Sequence, residues 1–221
     1  MNQRNYQKEL EKIIKSLEGI PTSAVPKVFL HSCCAPCSSY CLEYLSNYFE
    51  VTVFYYNPNI YPEEEYRKRV VEQQEFIKRF PAKHFISFVE GEYDTEKFYH
   101  AVKGMEQIPE GGERCFACYR LRLQEAYDWA KDKGFDYFTT TLTISPLKNA
   151  AKLNEIGEEI ASAGNGTLKF LPSDFKKKNG YKRSVELSEQ YGMYRQDYCG
   201  CVFSQRERET HKQLQANVIK S

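Results

Sequence analysis

The sequence has no excess of charge of either sign: 31 basic residues stand against 30 acidic ones, a formal +1. The chain as a whole is therefore no polycation built to coat nucleic acid, and any such surface must be a local patch. It also lacks a run of about 18 uninterrupted apolar residues, which excludes a membrane-spanning helix. Its first residues include Arg4, Lys8, Glu9, Glu11, Lys12 and Lys15, so the apolar stretch of a signal peptide is missing and the sequence predicts a soluble, cytoplasmic protein. No internal repeat is present.

What is there is a chain of 221 residues, 41% hydrophobic and 28% charged, ordinary globular values that suit one large core. Against that background it carries eight cysteines. In a reducing compartment a disulfide framework is not expected, so metal ligation or redox catalysis becomes the leading use for them.

Strands and helices alternate along the chain. Tyr6, Leu10, Ile13, Ile14 and Leu17 have helical spacing and end at Pro21 and Pro26, which predicts an N-terminal amphipathic helix and linker over 1–26. Lys27 to His31 reads as a strand, followed by a cysteine loop and a helix from Tyr40 to Phe49. Further strands are predicted at Val51–Tyr56, His84–Val89, Asp136–Leu142 and Thr167–Leu171. Between them fall helices at Pro62–Phe80, Asp94–Met105, Cys115–Lys133 and Leu147–Ala163, and later one near Arg183–Gln190. This order predicts an α/β fold, a mainly parallel sheet with helices on both faces, over 27–205, with a C-terminal tail over 206–221. In such sheets ligands bind beyond the carboxyl ends of the strands, where the loop after the first strand holds Cys33 and Cys34.

The cysteines form three groups: Cys33, Cys34, Cys37 and Cys41; Cys115 and Cys118; Cys199 and Cys201. Cys115 and Cys118 lie at a helix start, which favours thiolates and suits a soft metal. Adjacent side chains diverge in an extended strand end, so Cys33 and Cys34 together suit a multi-iron cluster or two neighbouring metals. Alternatively, Cys34-Ala-Pro-Cys37 with Cys115-Phe-Ala-Cys118 gives two zinc-knuckle spacings. Cys41, beside Leu42 and Leu45 on a helix, reads as a core residue. Cys199-Gly200-Cys201 could close only a strained, labile disulfide, which suits a pair that cycles, and Gly200 supplies the backbone freedom; the bland reading is further metal ligands or idle thiols.

His31, Asp197 and Tyr198 are possible proton donors, although a strand-end histidine bonded to backbone and a solvated aspartate are the commoner fates. His84 and His100 have no companion at ligand spacing. Tyr55, Tyr56, Asn57, Asn59, Tyr61 and Tyr66 gather near the end of the second strand, where those not in the core could stack a nucleobase. Basic residues cluster at Arg67, Lys68 and Arg69 and at Arg114, Arg120 and Arg122. A third group, between Asp174 and Arg183, sets five basic residues against one acidic. Such a run is usually a solvated face, but beside an aromatic mouth it could hold a phosphate backbone.

His31-Ser-Cys-Cys-Ala-Pro-Cys37, Tyr56-Asn-Pro-Asn-Ile-Tyr-Pro62 and Glu65-Tyr66 resemble motifs of the QueH-type epoxyqueuosine reductases, the cobalamin-independent enzymes of queuosine biosynthesis. Arg114-Cys-Phe-Ala-Cys-Tyr-Arg-Leu121, Thr140-Thr-Leu-Thr-Ile-Ser-Pro146, Arg183-Ser184 and Tyr194-Arg-Gln-Asp-Tyr-Cys-Gly-Cys201 extend the likeness, which spans Lys27 to Ser204. The resemblance implies an α/β fold of the adenine nucleotide α-hydrolase type. It also implies reduction of the epoxide of epoxyqueuosine, at the wobble position of tRNA, to the alkene of queuosine. A 4Fe–4S cluster held by Cys33, Cys34, Cys115 and Cys118 follows from it, with Cys199 and Cys201 as a redox-active pair and an external electron donor. Some members carry an acidic residue where Cys37 stands, which makes Cys37 a candidate ligand that displaces Cys33 or Cys34 to a neighbouring iron, and makes an additional adjacent iron a further expectation. On this reading an open iron site acts as Lewis acid on the epoxide oxygen, the basic segments hold the anticodon arm, and the Tyr56–Tyr61 mouth receives the base. Two rivals are a thioredoxin-like oxidoreductase using Cys34 and Cys37, which leaves the other cysteine groups unexplained, and a non-catalytic zinc-stabilised RNA-binding module.

Overall fold

A computed structural model describes residues 4–21, 24–164 and 166–219. Five strands, β1 (Lys27–His31), β2 (Glu50–Tyr55), β3 (Ile86–Glu90), β4 (Tyr137–Thr140) and β5 (Lys169–Phe170), form one sheet in the order β3-β2-β1-β4-β5. Every pairing is parallel. The expected α/β fold is present, and its parallel strands explain why β1 and β2 are apolar on both faces. Val28 and Leu30 enter one core layer and Phe29 the other, the alternation a pleated strand imposes.

One layer is built from α1 (Tyr6–Ser16), α2 (Ala35–Leu45), α3 (Glu63–Arg79) and α7 (Gly180–Tyr191); the opposite layer from α5 (Glu113–Ala130) and α6 (Ala150–Ala163). The short α4 (Thr95–Ala101) packs on α5. In α1, Leu10 and Ile14 reach the core layer that also holds Val28 and Leu30, and each buried side chain of that size contributes about 1.5–3 kcal/mol. Cys41 lies in the same layer, fully buried, and its Sγ donates to the Cys37 carbonyl.

Two departures from the expected elements bear on the site. Helix α2 starts at Ala35 rather than Tyr40, with Pro36 in its first turn where a missing N–H costs nothing, and so carries Cys37 on that turn. The C-terminal section forms a helix, α8 (Val202–Ile219), which starts directly after Cys201 and runs across the boundary expected at 206. Among the described residues no helix is long and apolar enough to cross a membrane.

Candidate functional site

The chain leaves β1 and β4, which are neighbours, toward opposite edges of the sheet, and a crevice opens beyond their carboxyl ends. A cavity of about 260 Å³ fills this place. Cys33, Cys34 and Cys37 line it from the corner between β1 and α2, Arg69 from α3, and Arg122 from α5. Lys148 enters after the 3-10 turn Thr141–Ile144 that follows β4, and the segment Arg195–Cys199 closes the remaining side.

The three thiols of the corner converge. Cys34 is the N-cap of α2, with extended backbone at φ −172° and ψ 160°, and Cys37 is the third helical residue. N-cap and third-residue side chains face one another across the first turn of a helix. Cys33 folds back onto them, with its Sγ 3.8 Å from that of Cys34, and all three sulfurs lie within 4.8 Å of one another. The divergence expected of Cys33 and Cys34 is therefore corrected: the chain is turning into α2 at this point rather than running on as a strand. Hydrogen bonds from Cys34 and Cys37 hold the Cys33 thiol well below its ordinary range, with Lys148 and His31 adding to the effect. The same contact pushes Cys34 and Cys37 up, so one sulfur of the three ionises first.

Cys199 and Cys201 make a second thiol group on the far side of the cavity. Lys148 Nζ donates to Cys199 Sγ at 3.3 Å. The Cys199 N–H donates to Ser204 Oγ at 3.0 Å, Ser204 Oγ donates to Glu110 at 2.8 Å, and the Ser204 N–H donates to Cys201 Sγ at 3.4 Å. Between the two cysteines Gly200 has φ +105°, the left-handed freedom the sequence asked of it. Its carbonyl accepts from the Tyr61 N–H at 2.9 Å. The hydrogen bond with Cys201, then Lys148 and Arg122, holds the Cys199 thiol well below its ordinary range, and Cys201 is pushed up.

Cys115 and Cys118 stand on α5, outside the three-sulfur group and off the cavity lining. Cys115 Sγ accepts from the Gly111 N–H at 3.3 Å, while Cys118 is buried with Phe98, Val102, Cys201 and Phe203. Burial pushes the Cys115 thiol up and the Cys118 thiol up to about 11. The thiolate character expected from the helix start is thus outweighed by desolvation.

Two buried guanidinium groups face the thiols. Arg122, 1% exposed, donates to the Cys118 carbonyl and to Asn57, and its Nη2 has no partner. Arg69, 2% exposed, pairs through Nε with Glu65 at 2.7 Å, and its Nη2 is likewise unpartnered. A buried donor left unmet costs about 1–3 kcal/mol, more on a charged group, so both Nη2 groups call for an acceptor. The sequence marked these arginines only as members of basic clusters, and it passed over Lys148 and Glu110. The run Thr140–Pro146 ends two residues short of Lys148, a signal that could have found it.

The remaining expectations divide. His31 is buried between Thr140 Oγ1 at 2.9 Å and the Tyr56 carbonyl at 3.1 Å, and burial pushes it down to about 3, so it is a neutral structural histidine. Asp197 is a surface carboxylate bound to Arg208 and Lys212, held below the usual range and with no proton to give near neutrality. Tyr198 does line the cavity. The expected mouth around Tyr56–Tyr61 is corrected: Tyr55, Tyr56 and Tyr66 are fully buried, packed on Phe54, Phe88 and Tyr93, and of the four tyrosines only Tyr61 is exposed. Tyr181 and Tyr198 line the cavity instead. In the basic run, Lys176 pairs with Asp174, Lys178 with Glu11 and Arg183 with Glu43, which neutralises much of the charge; Lys177 and Lys182 are exposed.

A family model described as epoxyqueuosine reductase QueH matches residues 28–207 of this chain. Proteins named epoxyqueuosine reductase QueH from Streptococcus pyogenes serotype M1 and Staphylococcus epidermidis are each 44% identical to it over 90% of its length, covering 78% and 84% of their own. One of the same name from Thermotoga maritima is 40% identical over 85% of this chain and 95% of its own length.

Proposed function

The chain belongs to the epoxyqueuosine reductase QueH family, and from that membership we infer that it is an oxidoreductase that reduces epoxyqueuosine to queuosine in tRNA. The net change takes up two electrons and two protons, replaces the epoxide by an alkene and releases water. The observation that carries this reading is the gathering of thiols and buried cations around one cavity at the switch point of the sheet.

The donor set fits a soft, thiolate-bound metal. Three sulfurs converge, one of them ionises readily, and Arg69 and Arg122, which line the same cavity, each carry an unpartnered Nη2. A thiolate-ligated iron–sulfur cluster is anionic and takes N–H donors on its sulfurs, so it suits a site lined by these two arginines. We propose that Cys33, Cys34, Cys115 and Cys118 hold a 4Fe–4S cluster, with Cys37 a ligand to an additional adjacent iron or to the cluster in place of Cys33 or Cys34. When bound, such a cluster would supply electrons, and an iron left with an open position, such as the additional adjacent one, would supply a Lewis acid. The chain's own residues contribute the rest. Arg69 and Arg122 compensate charge, the Cys199–Cys201 pair delivers two electrons as its thiols close to a disulfide, and Tyr181, Arg195 and Tyr198 receive the modified base. Lys177 and Lys182, both exposed, would meet tRNA phosphates.

Anaerobic purification with iron, sulfide and zinc analysis and an absorption spectrum tests the cofactor. About four irons and four sulfides per chain, with a visible band bleached by dithionite, is the expected result. Zinc alone, or no metal after anaerobic reconstitution, overturns the cluster and leaves the thiols to structure or exchange. Conversion of epoxyqueuosine-containing tRNA by the loaded protein and a reductant tests the activity itself.

A further inference from the structure

Lys148 is 51 residues from Cys199 in sequence, yet its ammonium group meets that sulfur at 3.3 Å. The contact is built from both sides. The Lys148 N–H donates to the Ser145 carbonyl at 3.3 Å, and the next residue, Asn149, caps α6 by accepting from the Lys152 N–H at 3.0 Å, so the backbone that carries the lysine is pinned. On the other side Gly200 and the Ser204–Glu110 hydrogen bonds fix the segment that carries Cys199. Lys148 also shares the cavity with the cationic Arg122, whose repulsion makes an anionic sulfur the partner that keeps the ammonium group in place.

We propose that Lys148 is a positioning residue: by pairing with Cys199 it stabilises the dithiol form of the Cys199–Cys201 couple over the disulfide and so sets how strongly that couple reduces. The inference rests on the reading of these two cysteines as a redox pair. A hydrogen bond from an ammonium group to an ionised sulfur exists only in the reduced form, because closing the disulfide removes the charge. The low range of Cys199 agrees with such a contact. In exchange with oxidised dithiothreitol, the S–S bond of the reagent breaks as one forms between Cys199 and Cys201. Two electrons pass to the reagent, and its sulfurs take the proton of Cys201 and one from Lys148 or water. Removing the ammonium group weakens the dithiol side and makes the protein couple a stronger reductant.

The test is a redox titration of the anaerobically loaded full-length protein in dithiothreitol buffers, with the Cys199–Cys201 peptide quantified by alkylation and mass spectrometry. Wild type, Lys148→Met, Lys148→Arg and Cys201→Ser are compared. Lys148→Met is expected to shift the equilibrium about tenfold toward the disulfide, a midpoint about 30 mV more negative for a two-electron couple, and Lys148→Arg to stay within about threefold of wild type. An unshifted Lys148→Met overturns the role of the lysine while leaving the redox pair standing. An equal shift in Lys148→Arg also overturns it, since loss of packing rather than charge is then the cause. If wild type shows no couple that Cys201→Ser removes, the redox-pair reading fails and the inference fails with it.

Discussion

The two cysteine groups on opposite sides of the cavity follow the same electrostatic rule by different means. At the corner of β1 and α2, the sulfur that ionises first, Cys33, is stabilised foremost by its neighbouring thiols, all carried by one rigid strand-to-helix junction. At the C-terminal segment, Cys199 is likewise stabilised first by a thiol, its one sulfur neighbour Cys201, and then by Lys148, which here makes a direct hydrogen bond, and by Arg122. The corner offers converging donors with room left between them, which is what a metal needs. The segment offers two thiols one residue apart with a cation at one of them, which is what a reversible disulfide needs. Clustering alone therefore does not separate a metal site from a redox pair; the number of converging sulfurs and the direct contact with Lys148 do.

The largest effect that would break this comparison is in metal loading. Cys34→Ala is expected to lower bound iron at least tenfold by removing a sulfur of the convergent group, with turnover lost alongside it. Cys118→Ala, made in parallel, asks whether the α5 thiols join the corner: an equal loss of iron supports the four-ligand set, and unaltered iron removes α5 from it. Next comes Cys199→Ser, expected to keep wild-type iron while turnover with a dithiol donor falls at least a hundredfold. If that variant loses iron as Cys34→Ala does, the two groups are one metal site and the contrast drawn here collapses.

The architecture was legible because hydrophobic periodicity, helix starts and strand composition agree along the chain, and all five strands lie where these signals put them. The grouping of cysteines was equally legible from spacing. What spacing could not convey was direction and partnership. Whether Cys33 and Cys34 diverge depends on where α2 begins, and Pro36, tolerated in a first turn, is no barrier to an early start. Tyr55 and Tyr56 read as a binding mouth only until the end of β2 and the residue after it are seen fully buried. Lys148 was missed because its partner lies 51 residues away. The lysine run looked cationic because Glu11 and Glu43, which neutralise much of it, come from distant elements.

A smaller effect would sharpen the account of the C-terminal segment. At Gly200 a methyl group would meet a backbone at φ +105°, with Arg69 Nη1 at 3.0 Å and Ile60 Cγ1 at 3.2 Å. Gly200→Ala is therefore expected to cost about 1–2 kcal/mol, read as a lower urea midpoint. It should also displace Arg69 and loosen the hold on Cys199. Wild-type stability in this variant would mean that the segment is free to adopt another path, and that the positions of Cys199 and Cys201 are less fixed than those of the corner thiols.

The last effect concerns pH, and its sign follows from which form of each sulfur the fold favours. A thiol of ordinary pKa near 8.5 gains roughly fifteenfold in thiolate between pH 7 and 8.5, and its alkylation rate rises in step. Cys199 is held well below that range by its hydrogen bond with Cys201 and by Lys148, so more of it is ionised at pH 7 than of an ordinary thiol, and raising the pH adds proportionately less thiolate. Its iodoacetamide rate should therefore climb well short of fifteenfold over this interval, and should fall as the solution is acidified through its lowered pKa. Cys201, pushed in the opposite direction, should react slowly throughout. Peptide-resolved alkylation kinetics on the reduced protein give both rates in one experiment. A Cys199 rate that climbs fifteenfold would mean that the sulfur is an ordinary thiol in solution, and that the cation at its side does not separate this group from the corner.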